Sequence, residues 1–519
     1  MQNRYLFLAV FVSGFTSLAV EMSASRLLGN FFGASNLVWA SIIGLILIYL
    51  TGGYFLGGYW ADRSPRYQTF YQILAWGAFT VGLVPAAARP VLRFAASAFD
   101  ELQMGILFGS FVAVMILFII PVTLLGTASP FAIRLAIQDP RRAGQISGYI
   151  YGISTLGSFI GTFLPTLVLI PSVGTYRTFM VIAELLLIVA LTGLWRTAGR
   201  RIFLAYAWMP LAVGALAAAG LPGTDKTPRG LIYEGESAYN YIQVLGYDDY
   251  RILRLNEGQG MHSIYHPTQL GFNGPWEQVL AGPYFNPAPY HPDQVASLAI
   301  VGLAAGTTAR QAAAVYGDDL IIDGIEIDPK IIEVGKKYFD MNMPNLNVIV
   351  QDGRWGLSHS ARRYGIISVD AYRPPYIPWH LTTREFFQET YDHLTKDGVL
   401  VINVGRGPND RRLIDAISST IASVYPSVYV MDIPGTFNSI IYATAQPTRA
   451  ENLKENLAYL SGLGNVHPLL IAAVQTAQAN LKPAVLTGRV FTDDLAPIEW
   501  ITNTMIFDFF LSGEMEQMQ

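Results

Sequence analysis

The stretch VASLAIVGLAAGTTARQAAAVYGDDLIIDGIEIDP, residues 295–329, decides the fold of the C-terminal half of the chain. An apolar run leads through a loop containing Gly302 and Gly306 into a helical pattern, and a second apolar run follows. Asp328 and Pro329 are then residue types preferred at the N-cap and the first position of a helix. This alternation predicts a parallel sheet with helices on both faces.

The same alternation continues along the chain. Five further predicted strands are NVIVQD, YGIISVD, GVLVINVG, SVYVMDI and SIIYATAQ. Upstream, residues 230–256 contain short strand patterns separated by turn signals, which predict a small antiparallel sheet. We therefore expect a Rossmann-like α/β domain of the class I methyltransferase type, preceded by a small N-terminal β-sheet.

Acidic residues stand at the ends of successive predicted strands. The first four strands end at Gly302, Glu326, Asp352 and Asp370. Ligands of such sheets bind beyond the carboxyl ends of the strands, and an acid about 20 residues after the loop suits ribose hydroxyls. A single acid of this kind is as readily a helix cap or a solvated loop residue. Three of them in one row favour a nucleoside site.

The first 220 residues have a different composition. Charged residues are 14% of the whole chain, against about 25% in soluble proteins, and the mean hydropathy is +0.34. Seven stretches are long enough to span a bilayer: 4–24, 37–59, 68–88, 104–125, 146–170, 176–195 and 202–220. We predict a transmembrane domain over 1–222, a small β-strand domain over 223–290 and a nucleoside-binding domain over 291–519.

Charge and cysteine content exclude several classes of protein. The net charge is −4 and no run of Lys or Arg occurs, so a nucleic-acid partner is not expected. The chain has no cysteine, which excludes disulfides, thiolate metal sites and cysteine nucleophiles. We expect no metal site. Glu21 and Arg26, near the end of the first span, are either an interfacial anchor or part of a substrate path.

The arginines between the spans bear on orientation. They lie in the second, fourth and sixth loops: Arg63, Arg66, Arg134, Arg141, Arg142, Arg196, Arg200 and Arg201. The positive-inside rule places this face in the cytoplasm of a bacterial-type inner membrane. Seven spans then put residues 226 onward outside, whereas a nucleoside substrate is expected inside. The sequence leaves the side of the soluble domain open.

Several motifs in one order resemble the spermidine synthase family, the polyamine aminopropyltransferases, over most of residues 230–445. They are EGESAYNYIQV, VGLAAGTTARQ, GIEIDPKIIEVGKKYF, VIVQDGR, YGIISVDAYRPP and HLTTREFFQETYDHLTKDGVLVINV. FVSGFTSLAVEMSASRLLGNFFG and FTDDLAPIEW resemble the branch with an N-terminal multi-pass membrane domain. The resemblance implies aminopropyl transfer from decarboxylated S-adenosylmethionine, as a co-substrate, to an amine by direct displacement. It also implies a possible homodimer and no tightly bound cofactor.

The resemblance also assigns roles to residues. Glu326 holds the ribose hydroxyls, and Asp352 with Gly353 meets the adenine amino edge. Asp370 matches the first acid of the D-x-x-D stretch that helps to deprotonate the attacking amine. The resemblance also places Tyr239 and Gln243 in the lining of the substrate cleft.

Two departures change the expected acceptor. The family's loop has an Asp that binds the cofactor's ammonium, and Ala305 stands in its place, while Arg373 replaces the second acid of the D-x-x-D stretch. A charge-assisted hydrogen bond contributes about 1.5–3 kcal/mol, so we expect putrescine to be a poor acceptor. Tyr372 and Arg373 are expected to contact the acceptor instead.

The start of the helix after the loop suggests a different nucleoside. Gly302 and Gly306 shape the loop, and Thr307 with Thr308 begins the helix, where N–H groups and hydroxyls suit a carboxylate. Intact S-adenosylmethionine is therefore an alternative to its decarboxylated form.

Other functions stay open on the sequence. Methyl transfer and cleavage of the sulfonium use the same nucleoside. A non-catalytic nucleoside-binding membrane protein is favoured by Ala305 and Arg373, and retention of Asp370 argues against it. A transporter is less favoured because the seven spans show no paired, similar halves.

Overall fold

The computed structural model describes residues 2–32, 36–102, 106–219, 229–256, 260–372 and 377–512. The chain divides into two compact units. Unit 1 comprises Met1–Thr227 together with the short segment Gly235–Tyr241, and unit 2 comprises Pro228–Glu234 and Ile242–Gln519.

Unit 1 is built from helices. They are α1 (Gln2–Phe32), α2 (Asn36–Arg63), α3 (Tyr67–Leu102), α4 (Ile106–Gly126), α5 (Ala128–Ala136), α6 (Ala143–Leu164), α7 (Ile170–Val173), α8 (Thr175–Ala198), α9 (Arg200–Tyr206) and α10 (Trp208–Ala219). A π-helical turn, Pro165–Leu169, joins α6 to α7. Within the described residues, seven segments are long and apolar enough to cross a membrane: Arg4–Gly29, Val38–Arg63, Tyr67–Leu92, Ser110–Ala136, Pro140–Val173, Thr175–Ala198 and Arg200–Ala219.

The surface of this helical unit is apolar. Phe55 is 77% exposed, Leu156 62% and Leu211 72%. Exposed apolar surface of this kind is rare in soluble monomers and suits contact with lipid. The fold therefore agrees with the expected multi-pass helical architecture at the N-terminus.

Close helix contacts hold α1 against α6. A Cβ atom added at Gly157 would lie 2.0 Å from the Phe11 carbonyl oxygen, and one at Gly161 would lie 2.2 Å from that of Phe15. Only glycine permits this approach of the two backbones.

A four-stranded sheet opens the second half of the chain. Its strands are β1 (Leu231–Glu236), β2 (Tyr241–Tyr247), β3 (Tyr250–Leu255) and β4 (Ser263–Tyr265), in the order β1-β2-β3-β4. Strand β3 pairs antiparallel with both β2 and β4. The small sheet expected from the sequence is therefore present.

The large sheet has eight strands: β5 (Ser297–Val301), β6 (Ile321–Glu326), β7 (Leu346–Val350), β8 (Tyr364–Val369), β9 (Leu394–Gly405), β10 (Ser427–Asp432), β11 (Asn438–Thr444) and β12 (Leu481–Lys482). Their order is β12-β10-β11-β9-β8-β5-β6-β7. Strands β5 to β9 are parallel, whereas β10, β11 and β12 pair antiparallel. The expectation of a parallel sheet is thus wrong for β10 and β11, because they are joined by a short turn that requires antiparallel pairing. Strand β12 was not predicted.

Helices cover both faces of this sheet. They are α11 (Pro275–Gln278), α12 (Thr307–Tyr316), α13 (Pro329–Tyr338), α14 (Gly353–Ser358), α15 (Arg384–Asp392), α16 (Arg412–Ala422), α17 (Glu451–Gly462), α18 (Pro468–Ala479) and α19 (Ile498–Ser512). Two apolar clusters form the core: one contains Leu298, Ile300 and Leu453, and the other contains Val301, Ile367 and Ile417. Alternate residues of β5 enter different clusters, so this strand is buried on both faces.

Candidate active site

The loop after β5 requires glycine at two positions. Gly302 has φ +94°, and a Cβ there would lie 2.6 Å from the Asp370 carbonyl oxygen. Gly306, the N-cap of α12, has φ +84°, and a Cβ there would lie 2.6 Å from Met341 Cγ. The loop therefore runs directly beside the end of β8, as the strand order predicts.

Glu326 ends β6 beside this loop. Its side chain is 8% exposed, and its two oxygens accept hydrogen bonds from the backbone N–H groups of Ala304 at 3.0 Å and Asp328 at 3.1 Å. Burial raises the pKa of Glu326 to about 7, and these N–H donors oppose part of that rise. Each carboxylate oxygen keeps a second lone pair, so Glu326 can also accept from ribose hydroxyls.

Asp352 lies two residues beyond β7 and caps α14. Its Oδ1 accepts from the N–H groups of Arg354 at 3.0 Å and Trp355 at 3.1 Å, and its Oδ2 lies 3.3 Å from His380 Nε2. Gly353 begins the helix, where a Cβ would lie 2.6 Å from Val301 Cγ1. One oxygen of Asp352 is thus a helix cap, and the other faces an imidazole.

Asp370 follows β8 directly, beside the glycine loop. Its backbone N–H donates to the Val301 carbonyl at 2.9 Å, and its Oδ1 accepts from Asn403 Nδ2 at 3.0 Å. Burial raises the pKa of Asp370 to about 6, although the Asn403 donor lowers it in part. The carboxylate is therefore suited to take up a proton near neutral pH.

Asn403 contacts Asp370 and was not predicted from the sequence. Its own Oδ1 is buried and accepts no hydrogen bond within the described part of the chain. The signal was present, because Asn403 is the single polar residue within the apolar run VLVINV of β9. Its neighbour Asp370 is 33 residues away, and only the pairing of β8 with β9 brings them together.

Tyr372 anchors the loop that follows Asp370. Its hydroxyl accepts a hydrogen bond from the Gly405 backbone N–H, and burial raises its pKa. The hydroxyl is therefore bound to the protein at the end of β9. Arg373 lies outside the described residues.

The small sheet holds the glycine loop from the other side. The Ala305 N–H donates to Ser263 Oγ at 2.9 Å, and Thr307 Oγ1 accepts from the Ile264 N–H and donates to the Ile264 carbonyl, both at 2.9 Å. The expected contact of Thr307 with a ligand carboxylate stays a prediction. Edge strand β4 needs partners for its backbone groups, and this hydroxyl supplies them.

The side chain of Ala305 lies in an apolar environment. It is 2% exposed and packs in a cluster formed with Ile242, Val244, Leu253, Leu255, Ile331, Val334 and Phe339. The position that the resemblance assigns to an ammonium-binding acid is thus part of the core beneath the small sheet.

The two residues expected to line the substrate cleft lie in different surroundings. Tyr239 is 42% exposed and lies in the turn Gly235–Tyr241 of unit 1. Gln243 is 2% exposed on β2, opposite Arg254, on the sheet face that faces away from Ile242 and Val244. Their substrate contacts stay predictions.

A salt-bridge network supports the Asp352 loop. Arg354 contacts Glu389 at 2.6 Å and Asp493 at 2.7 Å, and Thr383 Oγ1 donates to Asp493 Oδ1 at 2.6 Å. The segment FTDDLAPIEW, which contains Asp493, therefore fixes the start of α14. This contact could not be predicted from local sequence, because Arg354 and Asp493 are 139 residues apart.

The strand order defines a Rossmann-like α/β domain with Glu326, Asp352 and Asp370 at one edge of the sheet. A model of the spermine/spermidine synthase domain matches residues 315–455. A polyamine aminopropyltransferase of Vibrio vulnificus is 32% identical over 216 residues, which cover 39% of this chain and 68% of the relative. The chain belongs to the spermine/spermidine synthase family.

Two further similarities complete the comparison. A probable polyamine aminopropyl transferase of Bifidobacterium longum is 32% identical over 286 residues, covering 52% of this chain and 61% of that protein. The chain thus spans about three fifths of the length of this relative. The crystal structure of a probable spermidine synthase from Corynebacterium glutamicum has a TM-score of 0.39 at 21% identity, covering 50% of this chain and 99% of that one.

Proposed function

We propose that the protein is a membrane-anchored alkyl transferase that uses S-adenosylmethionine or its decarboxylated form. The observation that carries this proposal is the row formed by Glu326, the glycine loop and Asp370 at one edge of the sheet, in a chain of this family. The amine nitrogen attacks the carbon next to the sulfonium, the C–S bond breaks, and methylthioadenosine leaves with the electron pair. Asp370 accepts the proton released from the amine.

The surroundings of Asp370 support an acceptor other than simple putrescine. Among the described residues, the side chain that hydrogen bonds to Asp370 is a neutral amide, Asn403, and position 305 is an apolar alanine. Two missing acids weaken diamine binding by several kcal/mol, which corresponds to about two decades or more in affinity. Within the described residues Asn403 Oδ1 accepts no hydrogen bond, so we expect it to accept one from an N–H of the attacking amine.

The seven apolar helices support anchoring in a membrane. Under the positive-inside rule the arginine-bearing loops face the cytoplasm, and seven spans then favour the other face of the membrane for the C-terminal part of the chain. The expected compartment is a bacterial-type inner membrane.

Isothermal titration calorimetry tests the nucleoside site. We expect S-adenosylmethionine or its decarboxylated form, and methylthioadenosine, to bind the full-length protein, and putrescine to bind more weakly than the better nucleoside. A protein that binds no adenosyl compound at millimolar concentration contradicts the proposal. Product analysis separates the chemistries, since methyl transfer releases S-adenosylhomocysteine and alkyl transfer releases methylthioadenosine.

A further inference from the structure

A cavity of about 590 Å³ lies between the edge strand β7, helix α14 and the loop that follows α14. Small-molecule sites have volumes of about 300–1,000 Å³, so this cavity is large enough for one. The side chains that line it include Asp323, Asn347, Gln351, Trp355, His359 and Arg362. This set differs from the residues of the candidate active site, which are Glu326, the glycine loop and Asp370.

The cavity exists because α14 is shorter than the strands beneath it. The helix has six residues and is about 9 Å long, whereas the six residues of β6 extend over about 20 Å. A Cβ atom at Gly356 of the helix would lie 2.8 Å from Ile325 Cγ2, so α14 packs closely on the carboxyl end of β6. Asp323 lies two residues earlier on the same strand and therefore borders the cavity.

Asp323 is a buried acid in the wall of this cavity. It is 4% exposed, and its Oδ1 accepts from Asn347 Nδ2 at 2.9 Å. Its Oδ2 accepts from the Tyr364 hydroxyl at 2.7 Å and from Arg362 Nε at 3.2 Å. A charge within a strand of the sheet is costly unless it is paired and hydrogen-bonded, and these three donors meet that requirement.

The contact with Asp323 orients Arg362 beside the cavity. The side chain of Arg362 is 45% exposed, and only its Nε bonds to Asp323. Within the described residues, its Nη groups make no hydrogen bond. A guanidinium binds a carboxylate best through two parallel N–H donors. Arg362 is therefore held by one edge, and its Nη groups are available to an anionic ligand.

Trp355 gives the cavity a flat apolar surface. Its ring stacks on His359, with centroids 3.8 Å apart and an angle of 22° between the planes. His359 is itself fixed, because its Nδ1 lies 3.0 Å from the Trp355 carbonyl oxygen. Trp355 is still 54% exposed, and since one face of the indole is covered, the exposed surface is the other face and the ring edges. Such a surface suits stacking by an aromatic ring.

We propose that this cavity is a binding site for a small, flat aromatic molecule with one carboxylate. The ring of the ligand stacks on Trp355, and its carboxylate accepts hydrogen bonds from the Nη groups of Arg362. A carboxylate is favoured over a phosphate because the Asp323–Arg362 pair has no net charge, and a second negative charge on the ligand would increase the repulsion from Asp323. The site is independent of the proposed transferase function.

Isothermal titration calorimetry of the full-length protein in lipid nanodiscs tests this site. The ligands are indole-3-acetate, indole-3-acetamide, which lacks the charge, and cyclohexylacetate, which lacks the flat ring. Titration into empty nanodiscs gives the heat of partition into lipid, which is subtracted. The variants are Trp355→Ala and Arg362→Lys, and the matched controls are Trp500→Ala and Arg489→Lys, whose side chains are exposed outside the cavity.

Both variants are chosen to keep the fold. Trp355 is more than half exposed, and Arg362→Lys retains a cation beside the buried Asp323 while removing the two parallel donors. Hydrogen exchange measured by mass spectrometry then locates the ligand. We expect indole-3-acetate to slow exchange in residues 351–362 of the wild type.

We expect indole-3-acetate to bind the wild type with a dissociation constant below about 1 mM, and the amide and cyclohexylacetate to bind about 10-fold more weakly. Trp355→Ala and Arg362→Lys should each weaken binding of indole-3-acetate about 10-fold, and the two controls should bind it as the wild type does. The proposal is overturned if indole-3-acetate gives no heat at millimolar concentration, if the acid and the amide bind equally, or if either variant keeps the wild-type affinity.

Discussion

Replacing Asp370 by Asn separates the chemistry of this carboxylate from its effect on stability. The substitution keeps the size of the side chain and leaves an oxygen that still accepts from Asn403 Nδ2. It removes the group that takes the proton from the amine. Loss of a general base lowers kcat by about 10²–10⁴-fold.

The same substitution stabilises the fold at high pH. Burial raises the pKa of Asp370 from 3.8 to about 6, so the folded protein favours the protonated carboxyl. Protonation of Asp370 therefore adds to the free energy of unfolding. This contribution is fully present below pH 3.8 and is lost as the pH rises through about 6. That loss is at most about 3 kcal/mol, and Asn does not incur it. We therefore expect Asp370→Asn to unfold at a higher temperature than wild type at pH 8, and the two proteins to converge toward pH 4.

The assay is methylthioadenosine release, measured by chromatography from pH 5 to 9. In the wild type, kcat/KM for the amine rises with pH through an apparent pKa near 6 as Asp370 ionises. In the variant this rise is absent and the rate is low at every pH. A variant that keeps more than a third of the wild-type rate, or keeps the rise near pH 6, refutes the role of Asp370 as base.

Three other perturbations test the remaining features. Glu326→Gln should weaken nucleoside binding about 10-fold or more in calorimetry, because the amide offers one acceptor oxygen where the carboxylate offers two. The affinity of the wild type for the nucleoside should also fall as the pH drops below about 7 and Glu326 becomes protonated. Nucleoside binding that does not change with pH would contradict this role of Glu326. Ala305→Asp should lower the unfolding temperature, because it buries a charge in an apolar cluster. Decarboxylated S-adenosylmethionine should restore part of the lost unfolding temperature, and methylthioadenosine should not. Equal increases in unfolding temperature with both ligands would argue against an ammonium near this position. The chain has no cysteine, so a single cysteine at Lys454→Cys or Arg141→Cys reports on which side of the membrane that position lies. From the positive-inside rule we expect an impermeant maleimide added outside cells to label Lys454→Cys and to leave Arg141→Cys unlabelled. Labelling of Arg141→Cys alone would show the opposite orientation.

Much of the architecture follows from local sequence patterns. The apolar runs of β5 to β8 are bounded by loop residues, and the acids at their ends must meet at one edge once the strands are parallel. Glu326 and Asp370 therefore lie beside Gly302 as predicted from the sequence. The direction of β10 and β11 did not follow, because an apolar run carries no information on which neighbour it pairs with. Strand β12 has only two residues and was not predicted.

The contacts that depend on tertiary register were not predictable. Asn403 meets Asp370 because β9 pairs with β8, and Arg354 meets Asp493 across 139 residues. Thr307 has the residue type of a ligand-binding helix start, yet its hydroxyl bonds to edge strand β4. One polar side chain can serve a ligand or the fold, and its sequence position does not distinguish the two uses.

In the proposed reaction an amine attacks the carbon beside a sulfonium, with Asp370 as the base. Mass spectrometry of the products separates this reaction from the alternatives, when the full-length protein is given an adenosyl sulfonium with a ¹³C-labelled propyl chain and a panel of amines. We expect methylthioadenosine together with an amine that has gained the labelled chain. Formation of S-adenosylhomocysteine, or of methylthioadenosine without a labelled amine product, contradicts it.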